Sequence, residues 1–148
     1  MTINDVEKIF DADGLLFQHF PLYEYREGQL LMAELIRRSY EEDAIAVIEA
    51  GTGIGKSFAY LAVALFHALQ NPDERSVVAT STINLQRQLV DKDIPALFAA
   101  LDMECSVALA VGRANYLCIQ RYVQVKEASV LLAQDPTGEL YKVGAWVQ

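Results

Sequence analysis

An eight-residue loop between two apolar segments constrains the fold of this chain more than any other feature: Ala50-Gly51-Thr52-Gly53-Ile54-Gly55-Lys56-Ser57. The run over residues 44–48 before the loop is entirely apolar, and residues 58–69 after it have the apolar content and length of a helix. Glycines at this spacing allow consecutive backbone N–H groups to turn inward around a phosphate, and the N-terminus of the following helix attracts the same anion. The pattern predicts a phosphate-binding P-loop.

Two side chains at the end of the loop match the chemistry of a bound nucleoside triphosphate. Lys56 would reach the β- and γ-phosphates of the nucleotide, and the Ser57 hydroxyl would be a ligand of Mg²⁺. We predict both as catalytic residues, with the whole loop from Ala50 to Ser57 binding the nucleotide. The first position is Ala50 rather than glycine, and a glycine-rich turn of another α/β protein is the alternative interpretation.

Apolar runs and helical patterns alternate along the middle of the chain. Strands are predicted at residues 44–49, 76–80 and 106–111, and an amphipathic helix at residues 26–42 precedes the first strand. Further helices are predicted at residues 56–70, from residue 85 onwards with a break or a new start at Pro95, and over residues 116–133, before a break at residues 135–138. This order predicts an α/β fold with a parallel sheet flanked by helices.

Composition limits the class of protein. With 148 residues, of which 53% are hydrophobic, the chain can bury the core of one domain. No apolar stretch of 18 residues lacks a charge and only two cysteines occur, so we expect a cytoplasmic protein that does not enter a membrane. The net charge of −8 argues against a protein that coats nucleic acid. Residues 82–126, with 4 acids and 5 bases, still permit a local contact with DNA.

A P-loop enzyme that hydrolyses ATP also needs an acidic residue to organise Mg²⁺ and a group that positions the attacking water. Only Asp102 and Asp135 end apolar runs, and both runs have the Ala/Leu content of helices rather than strands. The sequence therefore predicts part of an ATPase, without hydrolysis of its own.

Four blocks in order give the chain a resemblance to the DinG-type helicases, the XPD-like branch of superfamily 2. They are Tyr25-Arg26-Glu27-Gly28-Gln29, the P-loop with Glu49 before it, Thr80-Ser81-Thr82-Ile83-Asn84-Leu85-Gln86-Arg87-Gln88-Leu89, and Gly112-Arg113-Ala114-Asn115-Tyr116-Leu117-Cys118. The resemblance implies an ATP-dependent DNA helicase that moves 5′ to 3′ and belongs to DNA repair. Residues 1–118 would be the N-terminal part of a RecA-like motor domain, and residues 119–148 the helical start of an inserted iron-sulfur-type region.

The resemblance also implies roles for particular residues. Gln29 would read the adenine with help from Arg26, although Gln29 could instead lie on the exposed face of an amphipathic helix. Cys118 would be the first of four ligands of a 4Fe-4S cluster, with the other three beyond residue 148. The phosphates of single-stranded DNA would contact Thr80, Thr82 and Asn84. Thr82 could equally be the cap of a helix.

Two other classes of protein stay open. A small P-loop kinase would share the loop but needs an acceptor site and lid arginines, and neither can be identified in the chain. A non-catalytic nucleotide-binding module would keep the fold without the chemistry. In a truncated motor domain, sheet edges or apolar helix faces left open by missing strands would favour self-association.

Overall fold

The computed structural model describes residues 5–132 and 138–147. The chain divides into two compact units, Met1–Leu109 and Ala110–Gln148. Helices are the only regular secondary structure of the described residues. The predicted domain boundary after residue 118 stays a prediction.

Three helices precede the P-loop: α1 at Val6–Phe10, α2 at Leu15–His19 and α3 at Glu27–Glu41. The short helices α1 and α2 contribute fully buried side chains to the core, among them Phe10 and Leu16. The helix α3 confirms the amphipathic helix predicted for residues 26–42. It packs against the helix that follows the P-loop, and ion pairs within the helix stabilise its outer face.

The helix α4, Lys56–Gln70, is the centre of the core. It ends at Asn71, whose side-chain amide donates to the His67 carbonyl at 3.0 Å, directly before Pro72, as predicted. Burial extends around most of the helix and includes Ala59, Val63 and Phe66, rather than following one stripe. Leu69, near the end of the helix, is 41% exposed. A helix that is apolar on nearly all sides is stable only when other elements cover it.

The last helical stretch of the first unit is continuous: α5 at Ile83–Gln88, a π-helical turn at Leu89–Asp93 and α6 at Ile94–Leu101. Thr82 caps α5, because its hydroxyl accepts a hydrogen bond from the Leu85 N–H at 3.3 Å. Pro95 lies in the first turn of α6, directly after the π-helical turn. The prediction was a break or a new start at Pro95, whereas the helical stretch continues through this residue and α6 begins at Ile94.

The predicted parallel sheet is wrong. The segments at residues 44–49, 76–80 and 106–111 have no strand pairing, and the described residues contain no sheet. Ile45 and Val47 are each 96% exposed, and Val77 is 87% exposed. Apolar composition gives a segment the capacity to be a buried strand, but a strand exists only through hydrogen bonds to a neighbour.

The α/β class must therefore be corrected, and with it the RecA-like domain with a parallel sheet flanked by helices. The core consists of side chains from α1 to α4, the π-helical turn and α6. The described part of the chain is helical, and its apolar runs outside the helices do not enter this core as strands.

The second unit contains a 3₁₀ turn at Arg113–Asn115 and two helices, α7 at Ile119–Leu132 and α8 at Glu139–Val147. The predicted helix at residues 116–133 begins three residues later than expected. Tyr116 instead turns its hydroxyl towards the Val111 N–H, which donates to it at 3.0 Å. Residue 133 and most of the predicted break at residues 135–138 lie outside the described residues. Within the described residues, no helix has both the length and the apolar content that crossing a membrane requires.

Candidate nucleotide site

The backbone of the P-loop has the conformation that its glycines predict. Gly53 and Gly55 have φ angles of 83° and 82°, in the left-handed region that side chains other than glycine rarely adopt. Gly55 is also the residue that precedes the first turn of α4. Residues 51–53 of the loop are exposed.

Lys56 turns its ammonium group back into the loop. Its Nζ donates to the carbonyl oxygen of Gly51 at 2.6 Å and to that of Ala50 at 3.1 Å. The positive charge is therefore held at the concave side of the loop by neutral acceptors. A phosphate oxygen is a stronger acceptor for an ammonium group than a carbonyl oxygen, because the bond is assisted by both charges.

The first turn of α4 adds further donors to the loop. The N–H of Ala59 donates to the Gly55 carbonyl at 3.3 Å, whereas the N–H groups before it in the helix have no carbonyl one turn earlier to accept them. The half-buried Ser57 lies in this turn, and Thr52 is exposed in the loop. A cluster of open N–H groups, two hydroxyls and one ammonium group fits the chemistry of a polyphosphate.

The loop is joined to the start of α3 by one buried side chain, Gln29. This residue is 1% exposed, and its Nε2 donates to the Gly55 carbonyl at 2.9 Å. Its Oε1 accepts from the Tyr23 hydroxyl at 2.8 Å. The alternative of an exposed helical glutamine does not fit this burial. The role of Gln29 as an adenine-reading residue stays a prediction.

Arg26 begins α3 at the surface. It is half-buried, and its guanidinium group forms an ion pair with Glu24 at 3.4 Å. Its backbone carbonyl accepts from the N–H of Gln29 at 2.9 Å. The structure thus brings Gln29 to the P-loop and leaves Arg26 available to a ligand from solvent.

The sequence did not indicate Tyr23. Its hydroxyl lies 2.8 Å from Gln29 Oε1 and 3.3 Å from the Phe10 carbonyl, and burial raises the pKa of the hydroxyl above its usual value. A tyrosine hydroxyl is protonated at neutral pH, so Tyr23 is a donor there. Only its position six residues before the glutamine could have suggested a contact, because no motif marks it.

The three predicted DNA-contacting residues lie together at the start of α5. The Thr80 hydroxyl donates to the Thr82 carbonyl at 3.1 Å, and the Thr82 hydroxyl is the helix cap. Asn84 is exposed in the first turn. The three residues thus belong to one exposed turn, and their contact with DNA stays a prediction.

The described residues do not provide a centre for a metal cluster. Within them, no three side chains of His, Cys, Asp or Glu come together. Cys118 is exposed and Cys105 is half-buried against the apolar core of the first unit. A 4Fe-4S cluster takes four cysteine ligands, and this chain contains two cysteines, so its residues alone do not fit the group.

The chain is similar in sequence to several named helicases. The ATP-dependent DNA helicase YoaA of Haemophilus influenzae is 40% identical over 143 residues, which are 97% of this chain and 22% of that protein. The ATP-dependent helicase DinG of Mycobacterium tuberculosis is 42% identical over 120 residues, which are 78% of this chain and 18% of that protein.

A third relative has a different name. The protein called 3'-5' exonuclease DinG in Bacillus subtilis is 31% identical over 110 residues, which are 74% of this chain and 12% of that protein. The chain therefore spans less than a quarter of the length of each of these three relatives. No protein-family profile and no solved structure matches the chain.

Proposed function

Because the chain belongs by sequence to the family of DinG and YoaA helicases, we propose that it is the ATP-binding part of an ATP-dependent DNA helicase. The observation that carries this proposal is the geometry of the P-loop. Two glycines in the left-handed region lead into α4, and the Lys56 ammonium group lies on loop carbonyls at 2.6 and 3.1 Å. The relatives are named for ATP-dependent activity, and this loop offers the donors that a triphosphate needs.

Each polar group of the loop has a role in this proposal. The Lys56 ammonium group would exchange the two carbonyl oxygens for oxygens of the β- and γ-phosphates. The N–H groups at the start of α4 would donate to the same phosphates, and the Ser57 hydroxyl would be a ligand of Mg²⁺. Mg²⁺ neutralises charge on the phosphates when it is bound. Arg26, at the surface beside α3, would contact the base.

The test is calorimetric titration of the chain with ATP in the presence of Mg²⁺. Replacing Lys56 with Ala removes a charge-assisted contact, so we expect affinity to fall by about tenfold to a hundredfold. The matched control is Lys92→Ala, because Lys92 is an exposed lysine of the π-helical turn in the same unit. Equal affinities for the chain and both variants would contradict the proposal.

The proposal does not include hydrolysis by these 148 residues. Hydrolysis needs an acidic residue at the metal and a group that positions water. In the described residues, no hydrogen bond or ion pair joins an acidic side chain to the loop, and Asp102 ends α6 in the left-handed conformation. We therefore expect binding without turnover, which release of inorganic phosphate measures. Phosphate release stimulated by DNA would contradict this part of the proposal.

A contact with single-stranded DNA at the start of α5 is the second part of the proposal, with translocation 5′ to 3′ as the family resemblance implies. Uncharged hydroxyl and amide groups at Thr80, Thr82 and Asn84 would meet the DNA backbone without reading sequence. Fluorescence anisotropy with labelled single strands tests the contact. Asn84→Ala should weaken binding to oligo-dT and to a mixed sequence by the same factor, and loss on one sequence only would contradict it.

The two remaining classes give other results in the same titrations. A P-loop kinase would transfer phosphate to a second substrate. A module that is only a scaffold would bind no nucleotide, so Lys56→Ala would have no affinity to reduce. The number and names of the relatives favour the helicase.

A further inference from the structure

A chain of side-chain hydrogen bonds connects the segment before α3 to the last residue of the P-loop. The Tyr23 hydroxyl donates to Gln29 Oε1 at 2.8 Å, and Gln29 Nε2 donates to the Gly55 carbonyl at 2.9 Å. Gln29 is 1% exposed, so water does not compete for these contacts. Every buried side-chain polar atom among the described residues has a partner.

The two contacts determine which way the Gln29 amide faces. The Gly55 carbonyl can only accept a hydrogen bond, so the NH₂ end of the amide must face it. The Tyr23 hydroxyl, which is protonated at neutral pH, donates to the opposite end at 2.8 Å, and its other acceptor, the Phe10 carbonyl, is farther away at 3.3 Å. A reversed amide would bring two carbonyl oxygens together in a buried site, which is costly. The Gly55 carbonyl thus excludes the reversed amide, and the Tyr23 hydroxyl adds a second hydrogen bond to the orientation that remains.

The orientation of Gln29 has a consequence at the phosphate site. The Gly55 carbonyl and the Lys56 N–H belong to one trans peptide, in which the two groups point in opposite directions. A Gly55 carbonyl held by Gln29 at 2.9 Å, together with the Ala59 N–H at 3.3 Å, therefore directs the Lys56 N–H the opposite way within the peptide plane. That N–H belongs to the first turn of α4, where helix donors meet an anion.

We propose that Tyr23 is a positioning residue, which orients Gln29 so that the amide holds the Gly55–Lys56 peptide with its N–H directed at the phosphates. The proposal rests on the nucleotide binding proposed above and deepens it. It assigns Gln29 to the phosphate end of the site, where its effect on affinity does not depend on the base.

The variants that test this proposal remove one contact at a time. Tyr23→Phe deletes the hydroxyl alone, and Gln29→Met keeps the length of the side chain without its amide. Tyr25→Phe is the matched control, because Tyr25 is a 43% exposed tyrosine two residues along the chain. Circular dichroism establishes that each variant keeps its helices. If Gln29→Met does not fold, Tyr23→Phe alone decides the outcome.

The probes are ATP and tripolyphosphate, which carries three phosphates and no base, each titrated by calorimetry at the same Mg²⁺ concentration. We expect Tyr23→Phe to weaken both by the same factor of about fivefold, the value of one hydrogen bond. Gln29→Met should weaken both by at least as much. The double variant should bind about as well as Gln29→Met, because the hydroxyl acts only through the amide.

The outcomes separate this proposal from the proposed function. If Gln29→Met weakens the binding of ATP but not that of tripolyphosphate, this proposal is overturned and Gln29 is assigned to the base. If Tyr23→Phe binds both probes as tightly as the unaltered chain, this proposal is overturned. The proposed function still stands in that case if Lys56→Ala loses affinity for ATP. A chain that binds ATP but not tripolyphosphate would also contradict it. A chain that binds neither would overturn both.

A readout without nucleotide complements the titrations. Hydrogen exchange at the Ala59 amide, which donates to the Gly55 carbonyl, should be faster in Tyr23→Phe than in the unaltered chain and in Tyr25→Phe, since that carbonyl is less firmly held. Equal exchange rates in all three would contradict the proposal, whatever the nucleotide affinity.

Discussion

Gly55 is the residue at which the backbone and the side chains of the candidate site depend on each other. Its φ of 82° requires glycine, and a Cβ at this position would collide with the Gln29 amide. The sequence predicted the first requirement from the spacing of the loop. It could not predict the second, because Gln29 is 26 residues away along the chain and reaches Gly55 only in the folded protein.

Replacing Gly55 with Ala should therefore destabilise the fold. The left-handed conformation alone costs about 1–2 kcal/mol for a residue with a Cβ, and displacement of the Gln29 amide adds to that cost. Urea unfolding followed by circular dichroism measures the difference.

Gly51→Ala is the control for this experiment, because a Cβ there meets no atom within 4 Å and φ is not positive. Its free energy of unfolding should stay within about 0.5 kcal/mol of the unaltered chain. Equal losses in the two variants would contradict the account of Gly55.

The two cysteines should differ in reactivity. Cys118 is exposed, whereas burial raises the pKa of the Cys105 thiol and keeps it protonated to higher pH. Because the pKa of the Cys105 thiol is higher in the folded chain than in the unfolded chain, burial of the neutral thiol contributes to stability at a pH below the unfolded-state pKa. That contribution is lost as pH rises through the folded-state pKa.

Iodoacetamide at pH 7.5, followed by mass spectrometry, should therefore modify Cys118 first. Cys118→Ser should remove the fast phase and Cys105→Ser should leave it. A fast phase that disappears in Cys105→Ser would show that the assignment of the two thiols is reversed.

At the scale of elements, helices could be predicted and strands could not. The helices α3 and α4 have periodic apolar positions and an identifiable end such as Asn71, and these local signals determine a helix because its hydrogen bonds join residues four apart. The segments at residues 44–49 and 76–80 have the composition of buried strands. Strand pairing depends on a neighbour that local sequence does not specify, and these segments are unpaired.

The cap of α5 provides a test at this scale. Thr82→Ala removes the oxygen that accepts from the Leu85 N–H, so the free energy of unfolding should fall by about 0.5–2 kcal/mol. Thr82→Ser keeps the oxygen and should restore most of the loss. Urea unfolding of the three proteins measures both effects. A serine variant as unstable as the alanine variant would show that the hydroxyl is not the cause.

At the scale of the whole molecule, the chain combines a helical core with exposed apolar segments. Ile45 and Val47, each 96% exposed, lie in an unpaired segment directly before the P-loop. Apolar side chains beside unpaired backbone groups are prone to associate with another copy. The net charge of −8 opposes association at low ionic strength, and salt screens that repulsion.

We therefore expect self-association that increases with protein concentration and with salt, as light scattering after size-exclusion chromatography would show. Replacing Ile45 and Val47 together with Lys should give a monomer. Leu22→Lys is the control, since Leu22 is 94% exposed elsewhere in the same unit and should leave association unchanged. A monomeric unaltered chain at all concentrations would contradict this prediction.

The central claim is that the P-loop of this helical chain binds the phosphates of ATP. Amide NMR spectra recorded during titration with Mg²⁺ and ATP test the claim at the atoms concerned. The account predicts saturable shifts at the amides of Gly53, Gly55, Lys56 and Ser57, and their loss in Lys56→Ala. Saturable shifts confined to other residues, or no shifts at all, would contradict it.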